Sequence, residues 1–508
     1  MEKTAKKGGF QTGLGFILAA AGSAVGLGNL WSFPYKTSQN GGAAFVIVYI
    51  LCTVLFGAIV MISEIWLGKR SQANNVTAFK NTNKNLGFVG LIVLIIPAII
   101  LCYYSVLGGW TTRYAMNSFQ GVIDANNAHS YASFTSNPYE PVFYTFIFML
   151  LAAIVIAGGV KGGIEKASKV LMPILFIILV FMVIFCLCLG DGVEKGLDFY
   201  LNPDFKELGF KGIIAAMSQS FYSLSLGMGC MIAYGSYTGN EIKVGKSVTM
   251  ICVFDTIFAL LAGLAIFPAI GALSPESLGD NAQSVGLIFI ILPKIFEAMG
   301  SIGPVVSFLF FGMVVIAALT SVISLMEVVT QFVIQKFKLS RKKASLTVCL
   351  IGFLISIPIA WSVGGAFDGK ITLFGFDLLT FFDEVTNTVL MPLSAFFGCI
   401  AVGWIIGNNS LKEKLNPKTT LKILEDEGLN LGKVGMPYAV MVKYVTPLLI
   451  LFIEVFGIID KTNFYATKYD LNFMCVVLVA GILLALCLLI YFLFIKNSYT
   501  GVNADELE

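Results

Sequence analysis

The chain has 508 residues, of which 57% are hydrophobic and 12% are charged, and its formal net charge is +3. The mean hydropathy of +0.86 is far above that of soluble domains and predicts an integral protein of the lipid bilayer. No basic run is interleaved with aromatic residues, so no nucleic-acid partner is expected. With His129 as the single histidine, most general-base, triad and zinc chemistry is excluded, and the chain is not expected to be an enzyme.

Apolar stretches of about 20 residues, the length that crosses a bilayer, recur along the chain and predict about twelve transmembrane helices. The predicted spans are residues 14–36, 42–68, 87–114, 141–158, 167–189, 211–236, 246–273, 304–335, 344–364, 378–406, 438–458 and 472–495. The apolar segment behind the basic N-terminus shows no small-residue cleavage site, so the first span is expected to be retained.

Charge sets the expected orientation. Most of the 33 Lys and Arg fall in alternate loops, for example at 69–70, 161–169 and 336–343, and the positive-inside rule then places both termini in the cytoplasm. Residues 1–13 and 496–508 are predicted to be cytoplasmic tails, and the polar segment 407–437 a cytoplasmic linker with some helix.

Two spans are interrupted in the same way. The first contains Gly-Ser-Ala-Val-Gly-Leu-Gly-Asn at 22–29, and the sixth contains Ser-Leu-Ser-Leu-Gly-Met-Gly at 223–229. Glycine and small hydroxyl residues allow a helix to unwind within the membrane. Equivalent breaks in two five-helix halves are typical of an inverted-repeat transporter with its site at the breaks. The alternative is that these small residues only permit close helix packing.

Helix eight carries adjacent hydroxyl residues, Thr320 and Ser321, inside an apolar run. Their oxygens suit a hard cation such as sodium. The structural alternative is that each hydroxyl bonds to a carbonyl one turn earlier, which is common in membrane helices.

Three acidic residues, Glu64, Asp255 and Glu327, lie within predicted spans, where an unpaired charge costs about 3 kcal/mol or more. Asp255 has apolar neighbours and no basic residue within a turn, so a bound cation is its expected partner. A protonated Asp255 bonded between helices is the alternative. Glu64 and Glu327 lie nearer the inner helix ends and are expected to form structural hydrogen bonds.

Three motifs together resemble the neurotransmitter:sodium symporter family, and specifically its bacterial amino-acid transporters. They are GFILAAAGSAVGLGNLWSFPY in the first span, SQSFYSLSLGMG in the sixth and ALTSVISLMEVV in the eighth. The resemblance implies an all-α membrane protein with a five-plus-five inverted repeat, the leucine-transporter-like fold. Residues 14–406 would form the core of ten helices, and residues 438–495 two additional C-terminal helices.

The resemblance also implies two sodium ions and no organic cofactor. By match, the first sodium site consists of Ala24, Asn29, Ser223 and Asp255, where many relatives have Asn in place of the aspartate. The second sodium site consists of Gly22, Val25, Ala317, Thr320 and Ser321.

The implied substrate is a small neutral amino acid whose carboxylate is held by Leu27, Gly28 and Tyr104, with Tyr222 as an aromatic lid. Half-helix N-termini suit such an anion because their N–H groups are free. The remaining implied substrate-site residues are Ser23, Ala24, Ile100, Ser223, Ser225, Met228 and Leu325. Without the resemblance, the preferred interpretation of Tyr104 is an ordinary interfacial or interhelical aromatic residue.

The chain departs from the family at both gates. Ser32 and Thr386 stand where an outer Arg–Asp pair is frequent, and Lys7 and Gln335 stand at the inner pair. Closure is expected to depend more on aromatic packing, for example by Tyr222 and Phe10, or on Lys36 and Asp383 in another arrangement.

The predicted function is sodium-coupled amino-acid symport by alternating access in the plasma membrane of a prokaryote. Asp255 would supply the negative charge that a chloride ion supplies in some relatives, so chloride independence is expected. A membrane sensor that binds an amino acid without transporting it, and an ion channel, are the alternatives. The sequence does not specify the amino acid or the oligomeric state.

Overall fold

The computed structural model describes residues 9–122, 131–239, 241–275, 278, 287–366, 371–406 and 415–495. Within these ranges, ten helices are long and apolar enough to cross a membrane, and one bent pair makes an eleventh candidate. His129, Lys7 and the predicted tail 496–508 lie outside the described residues.

The helices of the described chain are numbered here in chain order. They are α1 (Gly13–Ala24), α2 (Gly28–Gln39), α3 (Ala43–Ser71), α4 (Asn75–Thr82), α5 (Lys84–Phe119), α6 (Tyr131–Ser136), α7 (Glu140–Ala157), α8 (Val160–Leu187), α9 (Val193–Leu201), α10 (Phe205–Ser223), α11 (Cys230–Ser236), α12 (Val244–Leu273), α13 (Leu292–Ala298), α14 (Gly300–Phe337), α15 (Arg341–Gly364), α16 (Leu378–Ile405), α17 (Pro417–Asp426), α18 (Gly432–Tyr469) and α19 (Met474–Leu493). A π-helical segment, Leu287–Ile291, precedes α13.

The predicted spans all fall on these helices. The first span is the bent pair α1 and α2, and the sixth is α10 and α11 with residues 224–229 between them. Helix α10 is kinked at Gly209, where φ is 55°, and residues 224–229 interrupt the span again before α11. The sixth span is not among the uninterrupted candidates. Helix α18 is longer than the predicted span 438–458, and the expected helix within the linker is α17.

Several short elements were not predicted, among them helices α4 and α6, which lie between predicted spans. Helices α9 and α13 are too short to span a bilayer and lie in segments that the hydropathy pattern treats as loops. A small antiparallel hairpin pairs β1 (Thr372–Leu373) with β2 (Phe376–Asp377), in the register Thr372↔Asp377. It is held by a tight turn with Gly375 at φ 86°, so the fold is helical apart from this one hairpin in the described chain.

The core surrounds the first helix. Helix α1 is buried against α8, α12 and α14, and α14 also packs along α5. Helices α3 and α11 approach so closely that a Cβ at Gly68 would lie 1.9 Å from the Ile232 carbonyl oxygen. Helix α19 has only 22% of its apolar window buried, as expected of a peripheral helix that faces lipid.

Candidate functional site

Both predicted breaks are present. Helix α1 ends at Ala24, Val25 is extended at φ −71° and ψ 105°, and the axis of α2 is bent by 48° from that of α1. Helix α10 ends at Ser223, and α11 begins at Cys230. Between them Ser225 has φ 53°, a left-handed conformation that is costly for a residue with a side chain.

The two breaks are bonded to each other. The Ser225 hydroxyl donates to the Ser23 carbonyl oxygen at 2.7 Å. The Gln219 side-chain amide donates to the Gly28 carbonyl oxygen at 2.8 Å. These bonds satisfy backbone carbonyls that the helix breaks leave without an intrahelical partner, which a membrane interior requires.

Asp255 on α12 is the centre of the first predicted sodium site. It is 0% exposed. The Asn29 amide donates to its Oδ1 at 2.8 Å, and the hydroxyls of Ser223 and Tyr49 donate to Oδ2 at 2.8 and 3.1 Å. Within the described chain, no Lys or Arg forms an ion pair with this carboxylate.

Ala24 and Asn29 are two further predicted ligands of this site. Ala24 is the last residue of α1 and is buried. The Asn29 side-chain oxygen accepts from the Gly26 N–H at 3.2 Å, while its nitrogen faces Asp255. Ligation of sodium through the Asn29 oxygen, as the family resemblance implies, requires this amide to turn over.

The second predicted sodium site lies between α1 and α14. The Thr320 and Ser321 hydroxyls bond to the Ala317 carbonyl oxygen at 3.0 and 3.3 Å, and Ser321 also bonds to the Ser23 carbonyl oxygen at 3.3 Å. A Cβ at Gly22 would lie 3.3 Å from the Thr320 Cβ. The back-bonding that was the structural alternative therefore occurs, and it gathers these oxygens in one place at the break.

The predicted substrate residues meet at the same two breaks. The Tyr104 hydroxyl accepts from the Leu27 N–H at 3.1 Å. A Cβ at Gly28 would lie 3.2 Å from the Tyr222 ring, so this ring covers the start of α2. Three apolar pocket residues come from different elements and are buried: Ile100 on α5, Met228 in the second break and Leu325 on α14.

Ser324 is a residue of this region that the sequence reasoning missed. The Ser23 hydroxyl donates to the Ser324 hydroxyl at 2.7 Å, which in turn donates to the Ser321 carbonyl oxygen at 2.7 Å. Its spacing of three residues from Ser321 places it on the same face of α14, a signal that was available in the sequence.

Glu64 and Glu327 are hydrogen-bonded, as predicted. Glu64 accepts from the Gly227 N–H at 2.7 Å. Glu327 accepts from the Tyr237 hydroxyl at 2.6 Å and from Arg341 at 2.5 Å. Both therefore tie helices together.

Three uncharged residues stand at positions where the family frequently has gate charges, and each has a hydrogen-bond partner. Ser32 donates to Gln219 at 2.8 Å, Thr386 lies 3.2 Å from the Tyr103 hydroxyl, and Gln335 bonds to Asn74. Phe10 packs edge-on against Phe16 and Tyr234 at centroid distances of 5.5 and 5.7 Å, in line with the expected aromatic closure.

Comparison with known proteins places this geometry in context. The profile of the sodium:neurotransmitter symporter family matches residues 7–140 and 139–500. The chain is 33% identical to a sodium-dependent transporter of Bacillus subtilis (strain 168), YhdH, over 88% of this chain and 97% of that protein. It is 25% identical to a sodium- and chloride-dependent taurine transporter of Rattus norvegicus, over 78% of this chain and 71% of that protein.

A solved structure has the same fold. The crystal structure of MhsT in complex with L-phenylalanine matches with a TM-score of 0.78 and 34% sequence identity, over 89% of this chain and all of that one.

Substitution of Gly26 by alanine tests the packing at the first break. The added Cβ would lie 2.4 Å from the Ser321 hydroxyl and 2.8 Å from the Tyr104 hydroxyl, so we expect Gly26→Ala to lower stability by about 1–3 kcal/mol. The measurement is thermal unfolding in detergent. Gly13→Ala at the start of α1 is the control, because nothing lies within 4 Å of its Cβ. Equal melting temperatures for the two variants would contradict the close approach.

Proposed function

The chain belongs to the sodium:neurotransmitter symporter family, and from this premise we propose that it carries a neutral, apolar or aromatic amino acid together with two sodium ions. Members of this family are transporters and not enzymes. The proposed setting is the plasma membrane of a prokaryote with both termini in the cytoplasm, since most Lys and Arg fall in the loops of that side.

The observation that carries the proposal is the hydrogen bond between the first break and Tyr104. The Leu27 N–H donates to the Tyr104 hydroxyl at the start of α2, whose dipole end is positive. An amino-acid carboxylate suits this position because it would accept from the Tyr104 hydroxyl and take over the bond from the Leu27 N–H. The pocket beyond it is formed by apolar side chains, Ile100, Met228 and Leu325. MhsT, which has the same fold, binds L-phenylalanine.

Charge balance supports the absence of a chloride requirement. Two sodium ions add two positive charges to a buried site, and a zwitterionic amino acid adds none, so a fixed anion is required. Asp255 is buried between Asn29, Ser223 and Tyr49 and supplies it. One turn further along α12, Ala259 is fully buried and has no hydroxyl that could donate to a chloride ion.

A channel and a sensor are the competing functions. A channel needs a continuous polar pore, whereas Phe10 packs against the rings of Phe16 and Tyr234 on the side of the chain's N-terminus. A sensor would bind the amino acid without moving it. Accumulation against a gradient separates symport from both.

Uptake into proteoliposomes tests the function directly. An inward sodium gradient should drive accumulation of leucine, tyrosine or tryptophan, because the pocket is apolar and Met228 can repack around different side chains. Glutamate and lysine should not be accumulated, since their charge would be buried without a partner. Replacement of sodium by potassium is the control. Preferred uptake of glutamate or lysine would refute the substrate class, and binding without accumulation would support a sensor.

Removal of the α14 hydroxyls tests the second sodium site. Thr320→Val together with Ser321→Ala deletes two oxygens and roughly keeps the volume, so we expect at least a tenfold rise in the sodium concentration for half-maximal uptake. Thr330→Val is the matched control, because this buried hydroxyl on the same helix has no partner within the described chain. If the double variant needs the same sodium concentration for half-maximal uptake as the unmodified protein, these hydroxyls have only a structural role.

Replacing the Asp255 carboxylate by a group that allows chloride to bind tests the role of Asp255. The unmodified protein should transport equally well with chloride or gluconate outside. Asp255→Asn with Ala259→Ser should transport poorly in gluconate and recover at least partly in chloride, because the new hydroxyl can donate to a bound chloride ion. Ala259→Ser alone is the control and should stay insensitive to chloride. Chloride dependence of the unmodified protein, or a neutral effect of Asp255→Asn, would refute the assignment.

A further inference from the structure

A cavity of about 510 Å³ lies between α2, α10, α16 and α18, and its lining includes Phe221 and Tyr222 of the second break. With the termini in the cytoplasm, this cavity lies on the outer side of the site. Its charged lining residues are Lys36, Lys211, Asp377, Asp383, Glu384, Asp460, Lys461 and Lys468.

Most of these charges already have partners. Lys211 pairs with Asp460 at 2.6 Å. Asp377 caps α16 by accepting from the Thr380 N–H at 2.9 Å. Lys468 lies over the rings of Phe464 and Tyr469, at 5.4 and 5.6 Å.

Glu384 is fully engaged within the wall of the cavity. Lys461 forms an ion pair with it, the Tyr465 hydroxyl donates to its Oε1 at 2.8 Å, and Thr388 donates to its Oε2 at 2.5 Å. Because Glu384 and Thr388 lie on α16 and the other two lie on α18, this cluster fixes one wall, and Glu384 already has a cation as its partner.

Lys36 and Asp383 form no ion pair in the described chain. The same is true of Asp377 and Lys468, but these two have the helix cap and the ring contacts given above. The Asp383 carboxylate accepts from the neutral amide of Asn387 at 2.5 Å and is also hydrogen-bonded to the neutral Tyr103 side chain. Lys36 stands on α2, across the cavity, where the charges acting on it are those of Lys461, Asp383 and Glu384. Lys461 also acts on Asp383, but it is already paired with Glu384. Lys36 is therefore the cation facing Asp383 that forms no ion pair in the described chain.

Lys36 and Asp383 line the cavity from two different helices, Lys36 from α2 and Asp383 from α16. Ser32, one turn before Lys36 on α2, lines the same cavity.

We propose that Lys36 and Asp383 form an ion pair when the outer cavity closes over a bound amino acid, and that this pair is the outer gate of the transporter. The proposal rests on the proposed symport function. The closing wall is α2, which begins at the substrate-binding break, so occupation of the site and pairing of the charges are connected through one short helix.

Charge exchange tests the gate by transport. Lys36→Asp alone and Asp383→Lys alone each place like charges across the cavity, so we expect at least a tenfold fall in the maximal rate of sodium-driven uptake. The double variant, Lys36→Asp with Asp383→Lys, should regain at least a third of the rate. The matched control is the same charge exchange at Lys211 and Asp460, which already form a pair on the rim of the cavity. Both single variants and the double variant of this pair should show nearly unchanged uptake.

Crosslinking tests the gate without relying on transport. Lys36→Cys with Asp383→Cys, in a Cys188→Ser background, is treated in membranes with a two-carbon bis-methanethiosulfonate reagent. None of the cysteines in the described chain lines the cavity. We expect a crosslinked product that increases with sodium and leucine, and none for Lys36→Cys with Asp460→Cys.

The two experiments separate failure of the gate from failure of the function. If the unmodified protein accumulates no amino acid, the proposed function is wrong, and a 36–383 product above the 36–460 control still supports closure by this pair. If uptake is normal, a double exchange no faster than the single variants overturns the gate. A 36–383 product at the level of the control overturns it in either case.

Discussion

The site depends on one constraint: a helix that unwinds inside a membrane exposes N–H and carbonyl groups that water cannot reach. The structure meets the constraint by placing two unwound segments against each other, so that Ser225 and Gln219 satisfy carbonyls of the first break. The Leu27 N–H donates to a side chain, the Tyr104 hydroxyl, and in the proposed function a ligand carboxylate takes the place of this acceptor. Binding capacity is thus a consequence of how the backbone is satisfied, and it is confined to the depth at which the breaks meet.

The charge at the site also depends on how the two breaks are placed. Asp255 lies where the first break contacts α12, and its carboxylate accepts only from neutral donors. A buried carboxylate with neutral donors is a receptor for a cation, because donors reduce its desolvation cost but do not cancel its charge. The hydroxyls on α14 complete a second cluster of oxygens without any formal charge. In the proposed function Asp255 is the fixed negative charge beside the first of these clusters, which is why its covalent attachment to α12 bears on the use of chloride.

Much of this was predictable from the sequence because the bilayer restricts the possibilities. Long apolar runs gave the spans, and the paired Gly-x-Gly segments gave the breaks, since glycine there removes the Cβ that would meet Ser321 and Tyr104 at Gly26. The short helices α9 and α13 could not be found in this way, because their length and polarity resemble those of loops. The contact of Ser23 with Ser324 joins residues 301 positions apart and depends on packing that no local pattern records. The orientation of the Asn29 side-chain amide, whose oxygen accepts from the Gly26 N–H, likewise depends on the residues around it.

The outer wall shows how the chain combines a fixed element with a movable one. Glu384 is bonded by Lys461, Tyr465 and Thr388, and so many partners hold α16 and α18 together through any movement of α2. Lys36, on the short helix that starts at the substrate break, has no such restraint, and Asp383 faces it from the fixed wall. An ion pair that forms only across a closing cavity contributes little to the open state, where water screens both charges. Its contribution grows as water leaves, so it favours closure at the stage when the site is filled and α2 has already moved.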